Sequence, residues 1–334
     1  LEKIELVYKS LKKEVLLLAV SRYRQYSAHL QEKYGHKVYK LPVNLPGSCP
    51  NRDGTLAVGG CTFCDERGAG FECLPSVLSV KEQLAENKAY FKKRFHAGKF
   101  IAYFQAFTNT YFPLEQFRAY MEAAAAEPDL VGISVSTRPD CVNDAYLDVL
   151  LDLVNKGLDI DVELGLQTVN YRTLKDVNRG HTLAEFLDAV QRIKKRNFAI
   201  CAHVILNLPG DDMLDVIENA KVLSALGVDY VKLHSLYVVK GTQLGKQFER
   251  GEVAIISLEE YVRRVVTFLE FLHPDTVIQR LVGKGPKDKQ LFSNWDTSWW
   301  KIKQLIEEKL AELDTSQGAK CDYLNGKALK RFLT

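Results

Sequence analysis

Cys49-Pro50-Asn51-Arg52-Asp53-Gly54-Thr55-Leu56-Ala57-Val58-Gly59-Gly60-Cys61-Thr62-Phe63-Cys64 sets three thiols in a C-x11-C-x2-C spacing, directly after residues 40–45, which read as a buried strand. Two thiols two residues apart can turn toward one metal centre, and the Asp53-Gly54 and Gly59-Gly60 turns let Cys49 fold back on them. A structural zinc site normally closes with four protein ligands, and the chain has no second C-x2-C pair. Three convergent cysteines better suit a [4Fe-4S] cluster with one iron free of protein thiolate, whose open position accepts a small molecule. Cys73 is near enough in sequence to serve as a fourth ligand, and zinc or a redox thiol centre are the alternatives.

Outward from this loop, apolar β-branched runs alternate with amphipathic helical patterns from about residue 40 to about residue 245. Strands are expected at 40–45, 100–105, 130–135, 161–166, 200–206 and 230–236, and helices at 78–96, 113–127, 143–156, 182–196 and 211–226. Near-continuous apolar strands suit a parallel sheet covered on both faces. Periodicity alone leaves a partial barrel, a full eight-stranded barrel and a doubly wound sheet open. No G-x-G-x-x-G follows a strand and no Walker-type loop occurs, which disfavours a dinucleotide or nucleoside-triphosphate site. Past residue 255 a helix at 258–272, a strand near 277–282 and a polar, tryptophan-bearing tail read as an extension packed on the core.

The cysteine loop resembles the cluster loop of the radical S-adenosylmethionine (SAM) superfamily. Its spacing is longer than the C-x3-C-x2-C of most of that superfamily and is similar to the branch containing the elongator catalytic subunit and its small bacterial relatives. The resemblance covers most of the chain. It implies an α/β fold, a partial (β/α)6 TIM-like barrel with an N-terminal helix and a C-terminal helical extension, divided as 1–39, 40–255 and 256–334. It also implies that Cys49, Cys61 and Cys64 ligate a [4Fe-4S] cluster, whose free iron chelates the amino and carboxylate groups of SAM. An electron from a donor such as flavodoxin or ferredoxin would then cleave SAM to a 5′-deoxyadenosyl radical that abstracts hydrogen from the substrate.

Functional groups of parallel α/β folds gather at the C-terminal ends of the strands, and those ends are polar here. After the second strand, Gln105 and Asn109 stand where the superfamily often has a Gly-Gly-Glu-like segment receiving the SAM ammonium; both can accept that hydrogen bond but bring no charge. Thr137-Arg138-Pro139-Asp140 resembles the same branch; Arg138 could meet an anion or orient Asp140, or the two could form a structural ion pair. Glu163 is costly inside an apolar strand unless paired. By resemblance it binds the SAM ribose with Gln167 nearby; a buried salt bridge is the other reading.

Arg179 lies in an Arg-Gly-His-Thr segment like the family's, and its guanidinium fork suits the SAM carboxylate. Thr182 caps the helix that follows. The segment 202–210, containing Leu208, resembles the family segment beside adenine, and Phe63 stands where the family places an apolar or aromatic residue near the same ring. His203 and His234 are candidates for substrate contact or satisfied core histidines. Cys201, between Ile200 and Ala202, reads as a small core residue.

Composition, 46% hydrophobic and 26% charged, is that of a globular protein. The longest apolar run, residues 15–20, is too short to span a bilayer. With no signal-like segment and an odd, clustered set of seven cysteines, no membrane association and a reducing cytoplasmic location are expected. Residues 1–40 carry nine Lys and Arg against four Glu, and residues 277–334 carry eleven basic against seven acidic residues. Such basic flanks suit a polyanion or are solvated helix faces. Trp295, Trp299 and Trp300, following Lys284-Gly285-Pro286-Lys287-Asp288-Lys289, suit base stacking or core packing.

The branch's link to wobble-uridine chemistry makes tRNA the expected substrate, at an aminomethyl-type side chain of uridine. The alternatives are a small metabolite and a non-catalytic zinc-dependent RNA-binding protein. Having no acetyltransferase-length extension, the chain is not expected to perform the two-domain elongator-type reaction alone.

Overall fold

The computed structural model describes residues 21–332 except Ala69 and Lys287. The amphipathic helix expected at the start of the chain falls on residues 1–20, outside the described residues.

Seven parallel strands form one sheet: β1 (Val38–Val43), β2 (Lys99–Phe104), β3 (Leu130–Thr137), β4 (Asp159–Gln167), β5 (Ala199–Ile205), β6 (Tyr230–His234) and, beyond an intervening β7 (Val238–Val239), β8 (Val277–Arg280). They are ordered β1-β2-β3-β4-β5-β6-β8, so each strand is followed in space by its successor in the sheet, as right-handed crossovers produce. The result is a partial barrel. The six expected strands are all present within two residues at their starts, and β8, read from the sequence as part of an extension, is a seventh strand paired with β6.

α1 (Tyr26–Tyr34) lies against both β8 and β1, the two edges of the sheet, and Gln25 just before it bridges to Ile278. An unpaired sheet edge is a ready template for aggregation, and this segment covers both edges. The tail reinforces it: the Gln317 amide donates to the carbonyls of His273 and Thr276, and its carbonyl accepts from the Arg24 N–H at 3.0 Å.

The outer helices start where the sequence supplies a side-chain acceptor for their free N–H groups. Capping boxes pair Ser79 with Glu82 at α2 (Val80–Phe95) and Thr182 with Glu185 before residues 183–194; Asn143 caps residues 144–154. Their inward faces, such as Phe117, Met121 and Ala124, are fully buried against the sheet. Trp295 also packs inward, its ring 5.0 Å from that of Tyr261 and its indole N–H donating to the Ile256 carbonyl at 2.7 Å. Trp299 and Trp300, in contrast, are 43% and 58% exposed.

Candidate active site

The eleven residues between Cys49 and Cys61 fold as a small hairpin. Asp53 bridges to Val58, the Gly60 N–H donates to the Asn51 carbonyl at 2.8 Å, and Gly54, Gly59 and Gly60 take the left-handed φ that these turns demand. The hairpin returns Cys61 beside Cys49, and a tight turn from the Cys61 carbonyl to the Cys64 N–H adds the third thiol. The loop is pinned to the barrel at Thr62, inside its C-x2-C, by the Thr62 N–H on the Val177 carbonyl at 3.0 Å and the Leu244 N–H on the Thr62 carbonyl at 2.8 Å.

Cys49, Cys61 and Cys64 face one cavity at the C-terminal ends of the strands. Each sulfur has its own guanidinium: Arg138 Nη1 is 3.9 Å from Cys49, Arg179 Nη1 3.6 Å from Cys61 and Arg52 Nη1 3.4 Å from Cys64. Asn51 Nδ2 adds a contact to Cys61 at 3.7 Å. Burial, then the neighbouring Cys61, pushes the Cys64 thiol up to about 12, and Arg52 pulls against them. A thiolate here therefore needs a cation.

A tetrahedral ion with bonds of about 2.3 Å would hold three sulfurs about 3.8 Å apart. Among the described residues, the trio whose ligand atoms all lie within 4.8 Å of one another is instead Glu163, Cys201 and His203. Cys49, Cys61 and Cys64 gather on one cavity with no fourth thiol among the residues that line it, a donor set that fits a cluster with one iron free of protein ligation. The trio at Glu163 is held by Lys40 and Lys232, ammonium groups that occupy the place of a cation.

Two glycines make the close approaches possible. A Cβ at Gly165 would sit 2.6 Å from Arg179 Nη2, which donates to the Gly165 carbonyl at 2.8 Å. At Gly180, with φ +77°, a Cβ would collide with Asn51 Oδ1. Gly180→Ala is expected to lose about 2–4 kcal/mol through backbone strain and displacement of Asn51. A urea midpoint unchanged from wild type would show that the loop absorbs the methyl without cost.

The predicted site residues divide clearly. Phe63, Gln105, Glu163, Gln167, Arg179, Arg138, His203 and His234 line the same cavity as the cysteines. Gln167 gets there by a register shift between β4 and β5 and a left-handed φ of +75°, a bulge that re-aims the side chain. Asn109 is instead buried below the wall, its amide donating to the carbonyls of Phe104 and Ser136, and Leu208 belongs to an apolar cluster with Val177, Ile205 and Leu236. Asp140 clamps Arg138 with two hydrogen bonds, 2.8 and 2.5 Å. Arg179 is committed to His181 and Gly165 as well as Cys61. The sulfur of Cys73 lies 4.0 Å from Gln105 Oε1.

Beneath the cavity, Glu163 is completely buried and both its oxygens are in use. Lys40 at 2.5 Å and Ser134 meet Oε1; His203 at 2.6 Å, Lys232 at 2.9 Å and Ser136 meet Oε2. Burial alone would raise its pKa, but Lys232, Lys40 and His203 overcome this and hold the carboxyl well below its usual range. Burial likewise lowers His203, partly offset by Glu163, to about 4. The imidazole is therefore neutral and donates to the carboxylate. The Tyr103 hydroxyl accepts from Lys232 at 2.7 Å, and Asp161 pairs with Lys40 at 3.0 Å.

Sequence reasoning passed over Asn51, Arg52, Tyr103, Lys232 and Arg280, and used Lys40 only as a strand boundary. The usable signal was charge inside apolar strands: Lys40 and Lys232, like Glu163, are costly to bury singly and so imply one another.

The Radical SAM superfamily model matches residues 48–223, and the Radical_SAM C-terminal domain model matches residues 228–312. The chain is 38% identical to Bacillus subtilis YtqA over 89% of this chain and 92% of that protein, and 34% identical to Escherichia coli YhcC over 82% and 88%. It is 28% identical to the tRNA uridine(34) acetyltransferase of Methanocaldococcus jannaschii over 46% of this chain but only 28% of that protein. In fold it is similar to the archaeal Methanocaldococcus infernus Elp3, with a TM-score of 0.65 at 17% identity over 84% of this chain and 64% of that one. Methylornithine synthase gives a TM-score of 0.51 at 14% identity over 88% and 87%. Among the described residues, no helix is long and apolar enough to cross a membrane.

Proposed function

The chain belongs to the radical SAM superfamily, whose enzymes use a [4Fe-4S] cluster and SAM, and on that premise we propose that it tailors the side chain of a wobble uridine in tRNA. The observation that carries the chemistry is the convergence of Cys49, Cys61 and Cys64 on one cavity at the strand ends, each with an arginine N–H against its sulfur. When bound, the cluster and SAM supply the hydrogen-abstracting radical.

This chain's residues hold and position that machinery. The three cysteines would hold the cluster, and Arg52, Arg138 and Arg179, with their N–H groups against the sulfurs, would draw off negative charge and so ease its reduction by a flavodoxin- or ferredoxin-like donor. Phe63 offers an apolar face to adenine, while Gln105, Gln167 and Arg179 offer polar contacts to the amino-acid end and ribose of SAM. Glu163, saturated by its lysines, acts on the ribose side through Lys232 more than by a free oxygen. Asn109 and Leu208 support the wall from behind. Arg138, Asp140, His203 and His234 remain for the substrate side.

The tRNA assignment is supported by likeness to the tRNA uridine(34) acetyltransferase and by exposed Trp299, whose ring lies 5.5 Å from Lys284 Nζ at the cavity wall. A cation beside exposed indoles suits a nucleobase. The test is anaerobic: reconstituted protein with reductant and SAM is given tRNA lacking wobble modifications. The expected result is tRNA-stimulated 5′-deoxyadenosine and a mass change confined to the wobble nucleoside. Binding should also weaken with salt, with a log–log slope of several units when several phosphates are engaged. Turnover indifferent to tRNA, with a flat salt response, would reject the assignment.

A further inference from the structure

Arg280 is the last residue of β8. The β6–β8 pairing slips there: Val231 faces Ile278, but Lys232 faces Arg280, so Gln279 is an extra residue in the ladder. Such a bulge turns a side chain that would otherwise alternate outward, and Arg280 lines the cavity next to His234, Lys232 and Lys284. Its Nη2 lies 2.6 Å from His234 Nδ1. Its Nε is buried and has no hydrogen-bond partner among the described residues, and no carboxylate pairs with the guanidinium there.

Charge makes this more unusual. At and just beneath this end of the cavity stand three cationic groups, Lys40, Lys232 and Arg280, against two carboxylates, Asp161 and Glu163. Both carboxylates are engaged by the lysines, so among these three described cations Arg280 is the one without a carboxylate partner. Burial, then Arg280 and His203, hold the His234 imidazole well below its ordinary range, so it stays neutral and offers Arg280 a ring nitrogen but no negative charge. A buried N–H left without an acceptor is costly until one arrives. The guanidinium fork presents parallel N–H groups suited to a carboxylate or phosphate.

We propose that Arg280, braced by His234, forms an anion-recognising end of this cavity and that the substrate presents a carboxylate or phosphate group to it. The inference rests on the cavity being where the substrate is processed. It adds a chemical requirement: the reacting molecule is anionic close to its reactive carbon. The three arginines beside the cysteines are separate from this one, so a substrate anion at Arg280 and the SAM carboxylate at Arg179 need not compete for one group.

The test is equilibrium binding to the reconstituted, SAM-loaded protein with two matched pairs of probes. One pair is 5-carboxymethyluridine and its methyl ester, and the other is uridine 5′-monophosphate and uridine. The expected result is that the anionic member of one pair binds about tenfold or more tightly than its neutral partner. The pair showing the preference tells a base-borne carboxylate from a phosphate. Arg280→Gln removes the preference, Arg280→Lys retains part of it, and SAM affinity stays within about twofold of wild type.

Equal affinity within both pairs, or no measurable binding of any probe, overturns the proposal. So does a parallel loss of SAM affinity in Arg280→Gln. Should Arg280→Gln fail to fold, the wild-type preference and the Arg280→Lys variant decide the matter. A clear anion preference without tRNA-stimulated turnover would keep this site and replace tRNA with a small anionic substrate, whereas the reverse pattern would remove the site alone.

Discussion

Cys61→Ala lowers 5′-deoxyadenosine formation to background, at least about 100-fold below wild type, and the purified variant fails to hold four irons after reconstitution. The expectation follows from the place of Cys61 in the loop. It is buried at 6% exposure, it begins the tight turn to Cys64, and it receives N–H contacts from both Asn51 and Arg179. Among the described residues the other thiols near the barrel are placed elsewhere: Cys73 faces Gln105, Cys141 lies 3.8 Å from Asp140 Oδ1, and Cys201 is enclosed on β5 beside Glu163. Iron and sulfide content, the visible absorption of the cluster and product quantification check the three parts separately. Cys321→Ala, in the C-terminal tail, serves as the unaffected control. Retention of a full cluster and of SAM cleavage by Cys61→Ala would remove the three-cysteine assignment. A colourless preparation that binds zinc stoichiometrically in the wild type would replace it with the zinc alternative.

Glu163→Ala is expected to destabilise the fold by about 3–5 kcal/mol, the largest loss from any single substitution considered. The carboxylate is the shared counterion of Lys40 and Lys232, and its removal leaves two buried ammonium groups facing each other, with Asp161 paired only to Lys40. Glu163→Gln keeps the shape but not the charge and should recover only part of the loss. Urea unfolding measures both variants, and a midpoint near wild type in either would show that the lysines deprotonate or reorient freely.

The pH dependence has a definite sign. Glu163 has a folded pKa below its unfolded value, so its contribution is present above the ordinary carboxylate range near pH 4.5 and is lost as pH falls toward the depressed folded value. Wild type should lose stability through that acidic window, and Glu163→Ala should show a shallower slope there. Equal slopes would mean that other carboxylates dominate acid unfolding.

Much of the architecture was legible because it depends on local signals. Alternating apolar runs and capping residues such as Thr182 with Glu185 act within a few residues, and the strands and helices fall close to where those signals place them. The three cysteines were legible for the same reason, since Asp53-Gly54 and Gly59-Gly60 dictate a hairpin without help from the rest of the chain. Trp295 and Trp299 were not separable by spacing. A change of backbone direction at Asn294–Asp296, with Trp295 at φ +51°, sends one indole inward to Tyr261 and leaves the other at the surface.

The sequence by itself determined a cysteine loop able to fold on itself, a repeating βα pattern and a family whose chemistry that loop serves. Only the tertiary structure decided what the charges inside the strands are for. Lys40, Glu163 and Lys232 lie on three strands far apart in sequence, and their pairing is an outcome of sheet order and inward-facing register. The role of Arg280 likewise turns on one extra residue between β6 and β8. Burial makes an unpaired charge costly, so each such residue announces that a partner exists; which partner it finds, or whether the place is kept for a ligand, depends on contacts across the barrel.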